Sequence, residues 1–346
     1  MKYTKLGATG LDVSVICLGC MSYGQPELGG HPWSLDEETS QPFYRAAIEA
    51  GINFFDTANV YSAGSSEEFL GRALQKYADR DEVVIATKIH GVMRPGPNGA
   101  GLSRKAIMTE VDHSLRRLGT DYIDLYQIHR PSNIVDIDET LSALSDLIHQ
   151  GKVRTIGHST FPPDYIVEAQ WTAEKRNHVR FRTEQPPYSM LTRLIELDVL
   201  PTAQRHGMGI LTYSPLAGGW LSGSWTSDST PTSPARQRLV ARFDMSLPEN
   251  QRKLEATEQL AQVADDADIS LIELAIAFVV NHPAVTSAII GPRTMEQLDS
   301  QLPAADVVLD PATLDRIDQI VRPGVNLNPA DTSYGEQVLQ PALRRR

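Results

Sequence analysis

Cysteine is nearly absent: Cys17 and Cys20 are the only two in 346 residues. Two thiols do not make a disulfide scaffold. Their Cys-x-x-Cys spacing would suit a redox motif at a helix start. Cys17, however, lies inside the apolar run Val15–Leu18, so the pair reads as a core thiol and a thiol near the end of a strand. Long apolar runs are missing as well. The longest, Leu274 to Val280, falls far short of the ~20 residues that span a bilayer. No apolar segment follows a basic start, so no secretory signal is expected and the expected compartment is the cytosol. Basic residues are outnumbered, 32 Lys+Arg against 43 Asp+Glu, for a formal net charge of -11. Nucleic acid is therefore not an expected partner, nor is a membrane. No G-x-G-x-x-G, P-loop, H-E-x-x-H or His-x-His at a strand end occurs, which argues against a Rossmann sheet and against a bound metal.

What is present is a long alternation. Tyr3–Leu6, the turn Gly7–Gly10 and Val13–Gly19 read as a hairpin leading into a first strand at Val15–Leu18. Further strands are expected at Asn53–Thr57, Val83–Lys88, Tyr122–His129, Val153–Gly157, Arg182–Gln185, Gly209–Ser214 and Ser287–Gly291. Helices are expected at Asp36–Ala50, Ser66–Tyr77, Ser103–Leu118, Asp138–Gln150, Pro163–Lys175, Arg193–Arg205, Pro248–Ala264, Leu271–Asn281 and Thr294–Leu302. Alternating strands and helices mean a parallel sheet with crossover helices, and eight such units point to a closed barrel. The expected fold class is α/β, a (β/α)8 TIM barrel with an N-terminal β-hairpin and extra C-terminal helices, as one domain over 1–346. Two stretches stand outside the alternation. Residues 218–246 form a long Ser/Thr/Gly/Pro-rich loop, and long loops in compact domains tend to be functional. Residues 323–346 form a polar tail ending in Arg344-Arg-Arg346, read as a solvated end.

Several strands end on groups that can move protons. Asn53-Phe-Phe-Asp56 ends on a carboxylate, with Tyr61 five residues on; Val83–Lys88 ends on a lysine; Tyr122–His129 ends on a histidine. In parallel sheets ligands bind beyond the strands' carboxyl ends. Taken singly, Asp56 suits a helix cap, Lys88 a solvated strand end, Tyr61 a wall and His129 a satisfied structural histidine. Four such coincidences in one order make those separate readings poor.

The blocks GINFFDTANVY (51–61), VVIATK (83–88) and YIDLYQIHRP (122–131) resemble the signature blocks of the aldo-keto reductase superfamily. The resemblance runs from about Lys5 to just beyond Arg293. It implies reduction of a small-molecule carbonyl by NADPH, and a tetrad of Asp56, Tyr61, Lys88 and His129. A tyrosine hydroxyl is a poor acid at neutral pH. Lys88 would lower its pKa, Asp56 would hold Lys88 charged, and His129 would polarise the carbonyl. The resemblance also implies cofactor contacts. Gly19 and Met21 follow the first strand. Ser159, Thr160 and Gln185 would meet the nicotinamide carboxamide, with Thr160 standing where the family usually has Asn. Tyr213 would stack on the nicotinamide, with Ser214, Leu216 and Gly218 along the pyrophosphate under the 218–246 loop. At the adenosine end, Gly291 and Arg293 would meet the phosphates, Arg293 the 2′-phosphate in particular, with Gln297 on adenosine and Gln301 where an Asn is usual. Met21, Tyr23, Trp33 and the loops after Lys88 and His129 are candidate walls, and Trp220 and Trp225 lie in the 218–246 insertion; aromatic walls suit an apolar or bulky carbonyl such as a sugar or natural-product aldehyde or ketone, and packing is the equal alternative for each. Two relatives of the same fold offer alternatives: an enoyl reductase of a nucleotide-linked deoxysugar, and a non-catalytic NADPH-sensing subunit like the potassium-channel β subunits. Whether the chain forms a homo-oligomer is left open.

Overall fold

Every residue of Val84–Ile89 (β5) and of Ile123–Ile128 (β6) is buried, as expected of strands covered on both faces. In the computed structural model, which describes residues 1–229, 231 and 239–332, these are central strands of a closed parallel barrel. Its other strands are Ile16–Gly19 (β3), Phe54–Asp56 (β4), Val153–Ser159 (β7), Thr183–Gln185 (β8), Gly209–Tyr213 (β9) and Val285–Ile290 (β10). The order around the barrel is β10-β3-β4-β5-β6-β7-β8-β9. Before it, Tyr3–Lys5 (β1) and Asp12–Ser14 (β2) pair as an antiparallel hairpin. Leu6 and Val13 of this hairpin join Cys17, Phe54, Val84, Ala86, Leu125, Leu211 and Ile289 in an interior apolar cluster. The hairpin thus plugs one end of the barrel, and the other end is left for the polar strand termini. Both cysteines are buried and free.

The helices start where the capping residues lie. Asp36 caps α1 (Glu37–Glu49) by accepting from Thr39 N, and Ser103 caps α3 (Arg104–Leu118), which Gly119 ends in the left-handed region. Between them lies α2 (Ser65–Tyr77), and here the expected cap is not formed. Its serines are used at longer range: Ser66 Oγ donates to Cys20 O at 2.8 Å, and Ser65 Oγ accepts from Gln25 N at 2.8 Å. They fasten the segment after β3 to the start of α2.

The outer layer continues with α4 (Ile137–His149) and α5 (Pro163–Arg176). The single helix expected over Arg193–Arg205 is broken into a 3-10 turn, Leu194–Glu196, and α6, Val199–Arg205. Two causes act together. Pro201 lacks an N–H and is tolerated only in a first turn. Arg193 is also held away from helical packing by Glu196, Asp318 and the Val321 carbonyl. After β9 come α7 (Val240–Phe243), α8 (Pro248–Asp266), α9 (Leu271–Val280), α10 (Met295–Gln301) and α11 (Pro311–Ile320). Ser270 and Glu273 form a capping box on α9.

The 218–246 loop is only partly described; residues 230 and 232–238 lie outside the described residues, as do 333–346 with the Arg344–Arg346 end of the tail. Its two tryptophans are not mouth walls. Trp220 and Trp225 are 0% and 3% exposed and stack at 3.8 Å between ring centroids. The buried Lys253 ammonium lies 4.6 Å from the Trp220 ring centroid and pairs with Asp331 at 2.8 Å. Among the described residues no helix is long and apolar enough to cross a membrane, and no group of three or more His, Cys, Asp or Glu could hold a metal ion.

Candidate active site

Asp56 ends β4 directly beside Gly19 of β3, and Lys88 occupies β5 two residues beyond the partner of Asp56. Both side chains point into the barrel mouth and are buried. Lys88 Nζ donates to Asp56 Oδ1, to the Thr57 carbonyl at 2.9 Å and to Tyr61 Oη at 3.3 Å. These bonds use all three ammonium donors. Asp56 Oδ2 accepts from Gln127 Nε2 at 3.1 Å and from Gln185 Nε2 at 2.9 Å. Tyr61 reaches Lys88 because the chain kinks after it: Ser62 and Ala63 hold φ of 44° and 53°. His129 is anchored by its N–H on the Ile89 carbonyl at 2.8 Å, and its ring meets the Tyr61 ring edge-on at 5.6 Å and 83°. All four tetrad residues are thus assembled at one point.

The electrostatics follow from burial and from this pairing. Burial opposes the Lys88 charge, but the Asp56 carboxylate and Tyr61 outweigh it and raise its pKa above the ordinary lysine value. Tyr61 differs from expectation. Burial raises the hydroxyl above its ordinary value, and the pull of Lys88 offsets that only in part. His129 is pushed well below the ordinary histidine range, first by burial and then by the Lys88 and Arg130 charges. Its ring is neutral at pH 7, a hydrogen-bond donor without a charge.

The residues expected to hold a cofactor form three groups along the rim. Ser159 and Gln185 are adjacent across β7 and β8, and Ser159 Oγ donates to the Gln185 carbonyl at 2.8 Å. Thr160 follows at φ 58°, a conformation costly for a β-branched residue. Tyr213 ends β9 half-buried, with Ser214 and Gly218 exposed and Leu216 half-buried beyond it. Ser214 and Ala217 also carry positive φ, 59° and 50°. Gly291 lies past the end of β10, whose Ile290 pairs with Leu18, so Gly291 and Gly19 are neighbours on the rim, with Met21 39% exposed nearby. Arg293 bonds through its backbone N–H to Gln297 Oε1 at 2.8 Å, which leaves its guanidinium without a partner among the described residues. Gln297 is therefore partly committed to its own helix start, and Gln301 is only 4% exposed. A partnerless guanidinium, a polar strand-end pair and strained backbone at the mouth fit a phosphate-bearing nicotinamide cofactor.

Three residues at the site escaped the sequence reading. Gln127 is a polar residue in an apolar strand, two before His129 and so on the same face; period-two spacing alone would have found it. Arg130, which directly follows His129, donates from Nη1 to Thr160 Oγ1 at 3.1 Å. His31 packs edge-on to Tyr61 at 5.9 Å and to Trp33 at 5.1 Å, and its Gly-rich surroundings carry no signal. Tyr23, a candidate wall, is instead buried against Phe43 and Tyr44, with its hydroxyl donating to the Pro292 carbonyl at 2.9 Å.

Residues 15–322 match the model of the aldo/keto reductase family. The chain belongs to this family. It is 37% identical to an uncharacterised oxidoreductase, YrpG, of Bacillus subtilis, over 92% of this chain and 96% of that one. It is 34% identical to the versiconal hemiacetal acetate reductase of Aspergillus parasiticus, again over 92% and 96%. It is also 34% identical to a probable voltage-gated potassium channel subunit beta of Arabidopsis thaliana, over 93% and 97%. As an aldo/keto reductase it is an oxidoreductase of a family that acts on small carbonyl compounds with a nicotinamide cofactor. For this reductase Thr160→Asn is expected to raise the thermal midpoint, because Asn tolerates the left-handed region where Thr is strained by about 1 kcal/mol. An unchanged or lower midpoint in a melting curve would show that the Thr160 backbone carries no such strain.

Proposed function

We propose that the chain is a cytoplasmic NADPH-dependent reductase of an aldehyde or ketone, built as one barrel over 1–346 and running hydride transfer reversibly. The observation that carries this reading is Lys88 Nζ bridging Asp56 and Tyr61 within a buried mouth. The nicotinamide, when bound, supplies the hydride. The protein supplies everything else. Tyr61 gives its hydroxyl proton to the carbonyl oxygen as carbon is reduced, and the Lys88 ammonium stabilises the phenolate left behind. Asp56 keeps Lys88 charged. The neutral His129 ring offers an N–H to the carbonyl oxygen and orients it. Ser159, Thr160 and Gln185 would hold the nicotinamide carboxamide; because Gln185 Nε2 is spent on Asp56, its Oε1 would be the atom left for that contact. Tyr213 would stack on the nicotinamide ring, Ser214, Leu216 and Gly218 would follow the pyrophosphate, and Arg293 would take the 2′-phosphate. Met21, His31 and Trp33 make a rim suited to an apolar or aromatic carbonyl, including natural-product aldehydes and sugars.

The test is nicotinamide absorbance over time with an aromatic aldehyde. Wild type is expected to consume NADPH rapidly. Tyr61→Phe is expected to lose about 10²–10⁴ of that rate, the usual worth of a positioned acid. A variant as fast as wild type would remove Tyr61 from its role. The pH profile carries a sign. Reduction needs Tyr61 protonated, and its pKa lies above the ordinary tyrosine value. The His129 pKa lies below the ordinary histidine range. The rate is therefore expected to stay flat through neutral pH and to fall only in the alkaline range. A fall centred on the ordinary histidine range would contradict the neutral His129.

A second reading is favoured by the similarity to proteins named as potassium channel β subunits: an NADPH-sensing subunit with slow or no turnover. Tight NADPH binding without turnover across a broad carbonyl panel would favour it. Reduction of an activated C=C bond in a nucleotide-linked deoxysugar, with carbonyls untouched, would favour an enoyl reductase.

A further inference from the structure

Arg130 follows His129 at the end of β6 and is half-buried. Its Nη1 donates to the His129 carbonyl at 2.6 Å, to Thr160 Oγ1 at 3.1 Å and, at the limit, to Ser159 Oγ at 3.4 Å. All three acceptors are neutral. Among the described residues Nε and Nη2 carry no bond and no carboxylate pairs with the guanidinium. The other cation of the mouth, Lys88, is matched by Asp56. Among the described residues no carboxylate matches Arg130, yet its charge is close enough to depress both His129 and His90. A partly desolvated cation without a counter-charge is unfavourable in the free protein, and an anion entering the cleft would relieve it.

We propose that Arg130 receives a carboxylate carried by the same small molecule as the reacting carbonyl, so that the preferred substrates are aldehydes or ketones bearing an acid group. This rests on the carbonyl-reductase reading above. The Ser159 and Thr160 partners of Arg130 belong to the group assigned to the neutral carboxamide, and the cofactor's anionic groups are assigned elsewhere, so an anion received here belongs to the substrate. Arg130 stands at the end of β6, whereas the rim residues suited to the cofactor phosphates stand at the ends of β9 and β10; β6 lies four places from β10 and three from β9 around the barrel. It is one residue from His129, whose ring edges Tyr61, so a group held by Arg130 lies beside the carbonyl carbon's substituents. The planar fork suits a carboxylate, and the two short bonds from Nη1, to the His129 carbonyl and Thr160 Oγ1, already fix it, which keeps the ordering cost of binding low.

Two measurements test this. In the first, benzoate and the isosteric benzamide are titrated calorimetrically into the full-length protein with NADP present. Benzoate is expected to bind about tenfold or more tightly, as a charge-assisted bond implies, and the preference is expected to vanish in Arg130→Met. Arg130→Gln, which keeps a donor for Thr160, guards against loss of folding and is expected to lose the preference too. Equal binding of the two probes by wild type, or a benzoate preference that survives in a folded Arg130 variant, overturns the proposal. The second measurement compares kcat/KM for 4-carboxybenzaldehyde and its methyl ester. A preference for the acid of about tenfold or more in wild type, lost in the variants, supports the proposal. Equal turnover of acid and ester overturns it while leaving the reductase reading intact. A benzoate preference without turnover of either aldehyde supports the Arg130 site and counts against the reductase reading.

Discussion

Lys88→Met is expected to lower kcat by about 10²–10⁴ and, unlike Tyr61→Phe, to destabilise the fold as well. The ammonium lies fully buried, with Asp56 almost as deep, and each is the other's counter-charge. Removing one partner of a buried pair leaves the other uncompensated, which costs about 3–5 kcal/mol. Asp56 would retain two amide donors, Gln127 and Gln185 on Oδ2, but nothing charged. Its carboxyl would then meet the loss by taking a proton. Chemical denaturation separates the two effects: Tyr61→Phe should unfold near the wild-type midpoint and Lys88→Met well below it, while both lose turnover. The double replacement Asp56→Asn with Lys88→Met should recover much of the stability and none of the rate. If Lys88→Met unfolds at the wild-type midpoint, the pair contributes to chemistry alone, and the burial argument fails.

The positions of Asp56, Lys88 and His129 were legible because each lies within one residue of the end of a strand whose apolar run leaves a polar terminus nowhere to go but the mouth, and that of Tyr61 because it follows at a short distance. Eight strand–helix units made the closed barrel legible in the same way. What stayed hidden depended on tertiary contact. Nothing local marks Trp220 and Trp225 as a stacked core rather than a rim; that follows from Phe243 packing on them and from Lys253, paired with Asp331, reaching the Trp220 ring. The break in the 193–205 helix was half legible, since Pro201 announces it, but the pull of Asp318 and Val321 on Arg193 does not show in a linear pattern. Lys88 does pull the Tyr61 pKa down, as spacing suggests, but burial outweighs it, and desolvation cannot be guessed from spacing.

Arg293→Met is expected to weaken NADPH binding by about 10–150-fold, the equivalent of about 1.5–3 kcal/mol for bonds to a charged group, and to leave NADH binding within about twofold of wild type. The guanidinium carries this expectation because the neighbouring helix start cannot. Thr294 Oγ1 already caps Gln297 N at 3.3 Å, and the Arg293 N–H is taken by Gln297 Oε1. Glu296 stands in the first turn of α10, where it opposes an incoming phosphate. A 2′-phosphate would therefore depend on the side chain rather than on backbone N–H groups. The replaced side chain makes no bond among the described residues, so the variant should fold as wild type does. Salt supplies an independent sign: raising ionic strength should weaken NADPH binding to wild type more than to Arg293→Met, because only the wild type holds a screened pair. Equal loss of both cofactors would place Arg293 against a part they share, such as the pyrophosphate. No loss of either would remove it from the site and with it the preference for NADPH.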